Sequence, residues 1–236
     1  MPRANGRKPD QMRPVTIKTG VQKNPEGSVQ IAFGDTVVLC AASVAAQVPD
    51  WIKRDGKTHG WITAEYGMLP GSTPGRASRR PRGRSEEIQR LIGRSLRAGV
   101  NLQALGEHTI TVDCDVLQAD AGTRTASITG GWVAVELAVR KLIAAGKLPQ
   151  SVRRRPVCAV SCVMAGGEVL LDPDYPEDRD ADVDMNFVLM EGGDFIEVQG
   201  TAEGKPFGTQ ALVDMLSLAQ RGAGQLFEIQ KEVLQS

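Results

Sequence analysis

Hydrophobic and polar positions change rhythm several times along the chain. Val15 to Val21, Ser28 to Phe33 and Thr36 to Val44 have the short alternating or apolar runs of β-strands. Asn24-Pro25-Glu26-Gly27 and Gly34-Asp35 supply turns between them. Trp61 to Leu69 is a further extended piece. Residues 107–118 predict another strand, with Ile110, Val112, Cys114 and Val116 at every second position. Between those two, Ile88, Leu91, Ile92 and Leu96 fall at helical spacing after Ser85, a residue able to N-cap, and before Gly99. A longer helix is predicted over 126–145. It carries few charges before Arg140, which places it deep in a core.

After Pro149 the strand rhythm returns. Pro156 to Met164 and Glu168 to Asp172 predict a hairpin around Ala165-Gly166-Gly167, and Val183 to Met190 and Phe195 to Gln199 a second around Gly192-Gly193. A final helical region runs from about Thr209 to Leu234, with a break expected at Gly222 to Gly224. Strands followed by helices, twice over, predict an α+β fold with mixed sheets rather than a doubly wound parallel one. The expected organisation is one domain over 1–236, with sub-halves of about 1–150 and 151–236.

Composition narrows the function classes. The 236 residues carry 28 basic and 28 acidic side chains, so a polyanion site has to come from local charge. No apolar run reaches the length of a membrane span, and the basic, Pro-rich start (Met1 to Arg13) is no signal peptide. A cytoplasmic protein without membrane partners is expected. Cys40, Cys114, Cys158 and Cys162 sit in apolar strand-like runs and are expected to be buried free thiols. His59 and His108 are isolated and read as structural or surface residues.

Three segments carry candidate chemistry. "QADAGTRTAS" (Gln118 to Ser127) joins a strand to a helix. Unpaired N–H groups at a helix start favour an anion. Gly122 lets the backbone approach it, Thr123, Thr125 and Ser127 offer hydroxyls, and Arg124 adds a two-pronged positive charge. A capped turn with a surface arginine is the plainer alternative. "GSTPGRASRRPRGR" (Gly71 to Arg84) holds five arginines and no acid. Arg84 sits at a second helix start, so two such starts could hold one phosphate between them. Arg76, Arg79, Arg80 and Arg82 lie upstream, suited to an RNA backbone or to a merely solvated loop. Arg90, Arg94 and Arg97 form a separate face of the following helix. "DPDYPEDRDADVDMN" concentrates Asp172, Asp174, Glu177, Asp178, Asp180, Asp182 and Asp184. Neither EF-hand register has its glycine, so Mg²⁺ suits this segment better than Ca²⁺. An acidic cluster and an arginine cluster in one neutral chain should attract each other unless a ligand lies between them.

With these segments in view, the chain resembles the ribonuclease PH family of bacterial phosphorolytic exoribonucleases. The matching stretches are "MRPVTIKTG", "EGSVQIAFGDTVVLCAASV", "GWITAEYGMLP", "GRSEEIQRLIGRSLRA", "TITVDCDVLQADAGTRTASITG" and "DMNFVLMEGGDFIEVQGTAEGKPF". The resemblance implies two β-rich halves with helices packed on mixed sheets, in the βαβα layout found in ribosomal proteins. It implies removal of nucleotides from RNA 3′ ends, notably tRNA precursors, with orthophosphate as attacker and nucleoside diphosphates as product. A homohexamer built as a trimer of dimers is implied as well. Arg84 and Arg124 match the family's phosphate-binding arginines, with Gly122, Thr123 and Ser127 beside the second. Asp178 and Asp184 match its catalytic, Mg²⁺-associated aspartates. Arg76, Arg79, Arg80, Arg82 and Arg90 are the expected RNA contacts. This chain departs from the pattern in a shorter arginine loop, in Gly71 where an arginine is common, and in Ala121 where glycine is usual. A ring subunit that binds RNA without cutting it, and a metal-dependent hydrolase, are the competing functions.

Overall fold

The computed structural model describes residue 3 and residues 6–78, 83–153 and 155–235. Arg79, Arg80 and Arg82, expected to touch RNA, lie outside these. The first half contributes β1 (Val15–Thr19), β2 (Gly27–Phe33), β3 (Thr36–Ala45), α1 (Asp50–Arg54), β4 (Trp61–Met68), α2 (Gly83–Ala98), α3 (Leu102–Leu105), β5 (Thr109–Gln118) and α4 (Thr123–Ala144). The second half contributes β6 (Val157–Ala165), β7 (Glu168–Leu171), α5 (Tyr175–Arg179), β8 (Val183–Met190), β9 (Phe195–Ala202) and α6 (Thr209–Gln235).

Each half builds its own sheet, ordered β1-β2-β3-β5-β4 and β7-β6-β8-β9. In the first, only β4 and β5 run parallel, and the second is antiparallel throughout. Helices α2, α4 and α6 each touch both sheets and form a layer between them. This explains why α4 is apolar on nearly every side: residues 125–136 are all buried. One hydrophobic cluster runs from Val29 and Ile110 through Trp132 and Val133 to Phe187 and Leu226, so the halves share a core. All four cysteines are free and buried.

Two helix predictions are corrected. The helix predicted to start at Ser85 starts at Gly83, which puts Ser85 inside its first turn rather than at the cap. The break expected at Gly222 to Gly224 does not occur, because α6 is continuous. Gly222 is there for close packing: a Cβ would come within 2.9 Å of the Leu171 side chain on the second sheet. The acidic segment contains the short helix α5, capped by Asp174 and Glu177 in a reciprocal capping box.

Candidate active site

Strand β5 delivers the chain to a tight turn before α4. Ala121 and Gly122 both adopt the left-handed conformation, with φ of 57° and 64°. At Gly122 a side chain would also crowd the Arg13 guanidinium, at 3.1 Å. No side chain caps α4, and its first bond accepted by Gly122 comes from Ala126. The N–H groups of Thr123, Arg124 and Thr125 therefore face the turn unmatched by the helix ladder. Thr36 locks the turn, accepting from the Asp120 N–H at 2.9 Å and donating to the Ala121 carbonyl at 2.6 Å. Tyr66 of β4, buried, bonds the Thr123 hydroxyl at 2.8 Å.

This turn opens onto a cavity of about 580 Å³. Its lining contains Arg84, Gly122, Thr123, Arg124, Asp178 and Asp184, so the two predicted phosphate arginines and the two predicted acids share one space. Arg84 and Arg124 are each the second residue of a helix, α2 and α4. Arg124 reaches Gln199 at 3.2 Å and Glu87 at 3.5 Å, which orients its guanidinium across the cavity mouth. Asp178 projects from α5 and Asp184 from β8. Burial and repulsion from Asp184 push the Asp178 carboxyl above the usual carboxylate range, with Arg84 and Arg124 pulling the other way. Burial also raises Asp184, against the pull of Arg124, a Ser161 hydrogen bond, Arg84 and Asn186. Among the described residues neither acid has an ion-pair partner within 4 Å.

Other predicted residues lie elsewhere. Ser127 is fully buried and donates its hydroxyl to the Thr123 carbonyl at 2.8 Å, so it faces the core and not the cavity. Arg76 and Arg90 are exposed and outside the lining, although Thr73, Pro74 and Gly75 form part of the wall. His59 and His108 bond neighbouring carbonyls through Nδ1, as structural residues do.

The sequence reading missed a clamp of three N-terminal arginines. Arg13 donates to Asp172 through its backbone N–H (2.8 Å), Nε (3.0 Å) and a terminal nitrogen (2.7 Å), and its other terminal nitrogen reaches the Asp120 carbonyl. Arg3 makes a paired contact with Glu177, 2.8 Å on each oxygen, and Arg7 reaches Glu177 at 3.1 Å. The Asp120 carboxylate in turn accepts the Tyr175 N–H at 2.9 Å, tying the turn before α4 to α5. Among the described residues, the attraction expected between arginines and acids is met by Arg3, Arg7 and Arg13. Spacing gave no signal for this, because the partners lie more than 100 residues apart. Tyr175, 52% exposed on the rim, and Asn186 and Ser161 in the wall were also not singled out.

The 3′ exoribonuclease family matches this chain twice, domain 1 over residues 11–141 and domain 2 over residues 155–222. The chain is a member of the ribonuclease PH family. A ribonuclease PH of Synechococcus elongatus is 51% identical to it over 235 residues, 98% of either chain. Among solved structures, rice (Oryza sativa) Rrp46 superposes with a TM-score of 0.81 at 19% identity, over 99% of this chain and 100% of that one. A chain of the Archaeoglobus fulgidus exosome with RNA bound to the active site also gives 0.81, at 22% identity, over 96% of this chain and 91% of that one. At such identities the structural neighbours attest the shared fold.

Proposed function

We infer that the chain is a phosphate-dependent 3′→5′ exoribonuclease that trims RNA 3′ ends, tRNA precursors among them. One observation carries the reading: two arginine-bearing helix starts and two acids, without ion-pair partners among the described residues, face one cavity. Bringing orthophosphate to a phosphodiester sets two anions together. At 4 Å and an effective dielectric near 20, each unit pair repels by about 4 kcal/mol. Arg84, Arg124 and the first N–H groups of α4 offset that repulsion and aim one phosphate oxygen at the RNA phosphorus. The new P–O bond forms as the bond to the 3′-oxygen of the penultimate nucleotide breaks. That oxygen takes a proton, and the terminal nucleotide leaves as a diphosphate.

The chemistry of the acid pair fits Mg²⁺, which needs only one or two protein carboxylates and takes its other ligands from water and phosphate. Asp178 and Asp184 would hold it; when bound it supplies charge stabilisation at the departing oxygen. Their raised carboxyls equally suit either one as the proton donor to that oxygen. Assembly as a trimer of dimers and a cytoplasmic location belong to the same proposal; among the described residues no helix is long and apolar enough to cross a membrane.

Incubation with RNA, Mg²⁺ and labelled orthophosphate tests the reading. Labelled nucleoside diphosphate is expected. Release of monophosphates without phosphate would make the chain a hydrolase, and RNA binding with no release at all a non-catalytic ring subunit.

A further inference from the structure

The exposed arginine face of α2 and the tryptophan pair at its far end are not used by the cavity. Resting on the exoribonuclease reading, we propose that they form a distal track for the single-stranded RNA whose 3′ end occupies the cavity. Arg90, Arg94 and Arg97 are spaced by four and three residues and so share one face of α2. That face lies between β4 and β9, the free edge strands of the two sheets. Arg94 bridges to Glu197 of β9 at 2.8 Å. At the far end Arg97 stacks 4.3 Å from the Trp61 ring centre and donates to the Ile62 carbonyl at 2.8 Å. Trp51 meets Trp61 edge-on at 4.9 Å, yet stays 38% exposed. Lys57 lies 5.9 Å from the Trp51 ring, and Lys53 and Arg54 close α1 beside it.

Basic side chains along a helix face that ends on an exposed aromatic ring suit a nucleic-acid strand: cations follow the backbone and a base stacks on the ring. A solvated helix face accounts for the arginines alone, but not for a tryptophan left open on a cationic cluster. The ion pairs here, Arg94–Glu197 and Lys57–Asp55, involve exposed arginine and lysine heads, and such pairs give way readily to phosphate. The distance fits a long substrate. Trp61 and the cavity residue Met68 stand at opposite ends of β4, roughly 23 Å apart at about 3.3 Å per residue.

Steady-state phosphorolysis by wild type, Trp51→Ala and Trp51→Phe on a long single-stranded RNA and on a dinucleotide tests the track. A dinucleotide is too short to reach Trp51. For Trp51→Ala, KM for the long RNA should rise about tenfold, with kcat held and dinucleotide kinetics unchanged, and Trp51→Phe should recover most of the loss. An unchanged KM on long RNA would overturn the proposal, as would an equal loss on the dinucleotide. Dissociation of the Trp51→Ala protein in a solution mass measurement would also overturn it, by making the patch a contact between copies. If no RNA is phosphorolysed, the exoribonuclease reading fails separately. Quenching of Trp51 fluorescence by RNA without phosphate, absent in Trp51→Ala, then still decides whether the track binds.

Discussion

Arginines meet acids in two adjoining places, with opposite outcomes. In the clamp, Arg3, Arg7 and Arg13 engage Glu177 and Asp172 within hydrogen-bond distance, and Arg13 and Asp172 are almost wholly buried. In the cavity, Arg84 and Arg124 face Asp178 and Asp184 without closing on them. The clamp spends its charges on each other and holds α5 in place. The cavity keeps them apart, at the cost of acids pushed toward their neutral form. Charges that could pair and do not are the ones left to bind a ligand. The clamp keeps them so: Asp120, gripped by Arg13, holds the start of the helix that carries Asp178.

Breaking the cavity should abolish chemistry and spare folding. Asp184→Ala is expected to lower turnover on RNA by about a thousandfold or more, with RNA binding retained in a filter assay. Near-normal diphosphate release would remove Asp184 from the reaction. Arg124→Ala should raise the phosphate concentration needed for half-maximal rate by roughly a hundredfold, while Tm moves little; an unchanged phosphate dependence would place the anion elsewhere.

Breaking the clamp should cost stability first. Arg13→Met leaves Asp172 buried without its partner, a loss of about 3–5 kcal/mol, read as a fall in Tm of roughly 10 °C. A Tm within a degree or two of wild type would show that the buried network is not holding the fold.

The clamp also has a pH signature. Burial works against the Glu177 carboxylate, but hydrogen bonds from Arg3 and the Asp174 backbone, with the charges of Arg3 and Arg7, hold it below its ordinary range. Its contribution is therefore present above the unfolded carboxylate range and is lost as pH falls through the lowered folded value. Glu177→Gln should flatten the acid limb of a stability–pH curve, and an unchanged limb would count against the pairing. The smallest effect is expected at Ala121, where a left-handed conformation is imposed on a residue with a Cβ. Ala121→Gly should raise stability by about 0.5–1 kcal/mol in a denaturant titration; a loss would mean that the methyl group is packed.

The strands and long helices were legible because burial on one face imposes a period. Val183 to Met190 was read to the residue, and Arg84, Arg124, Asp178 and Asp184 could be named before any contact was known. Other assignments failed where period carries no information. Gly222 looks like a helix breaker in the sequence and is a packing residue in the fold, since only the nearness of Leu171 explains it. Ser127 looks like a third hydroxyl for phosphate, but its place one turn along α4 sends it inward.

The amino-acid order by itself determined which segments become strands and helices, because propensity and periodicity are local; the choice of Arg84, Arg124, Asp178 and Asp184 as site candidates came from the resemblance to the ribonuclease PH family. Which arginine meets which acid was decided only by the tertiary structure. Arg13 and Asp172 are 159 residues apart, so no local rule pairs them. The different fates of clamp and cavity come from the packing of two sheets across one helical layer, which closes one set of opposite charges and holds the other open.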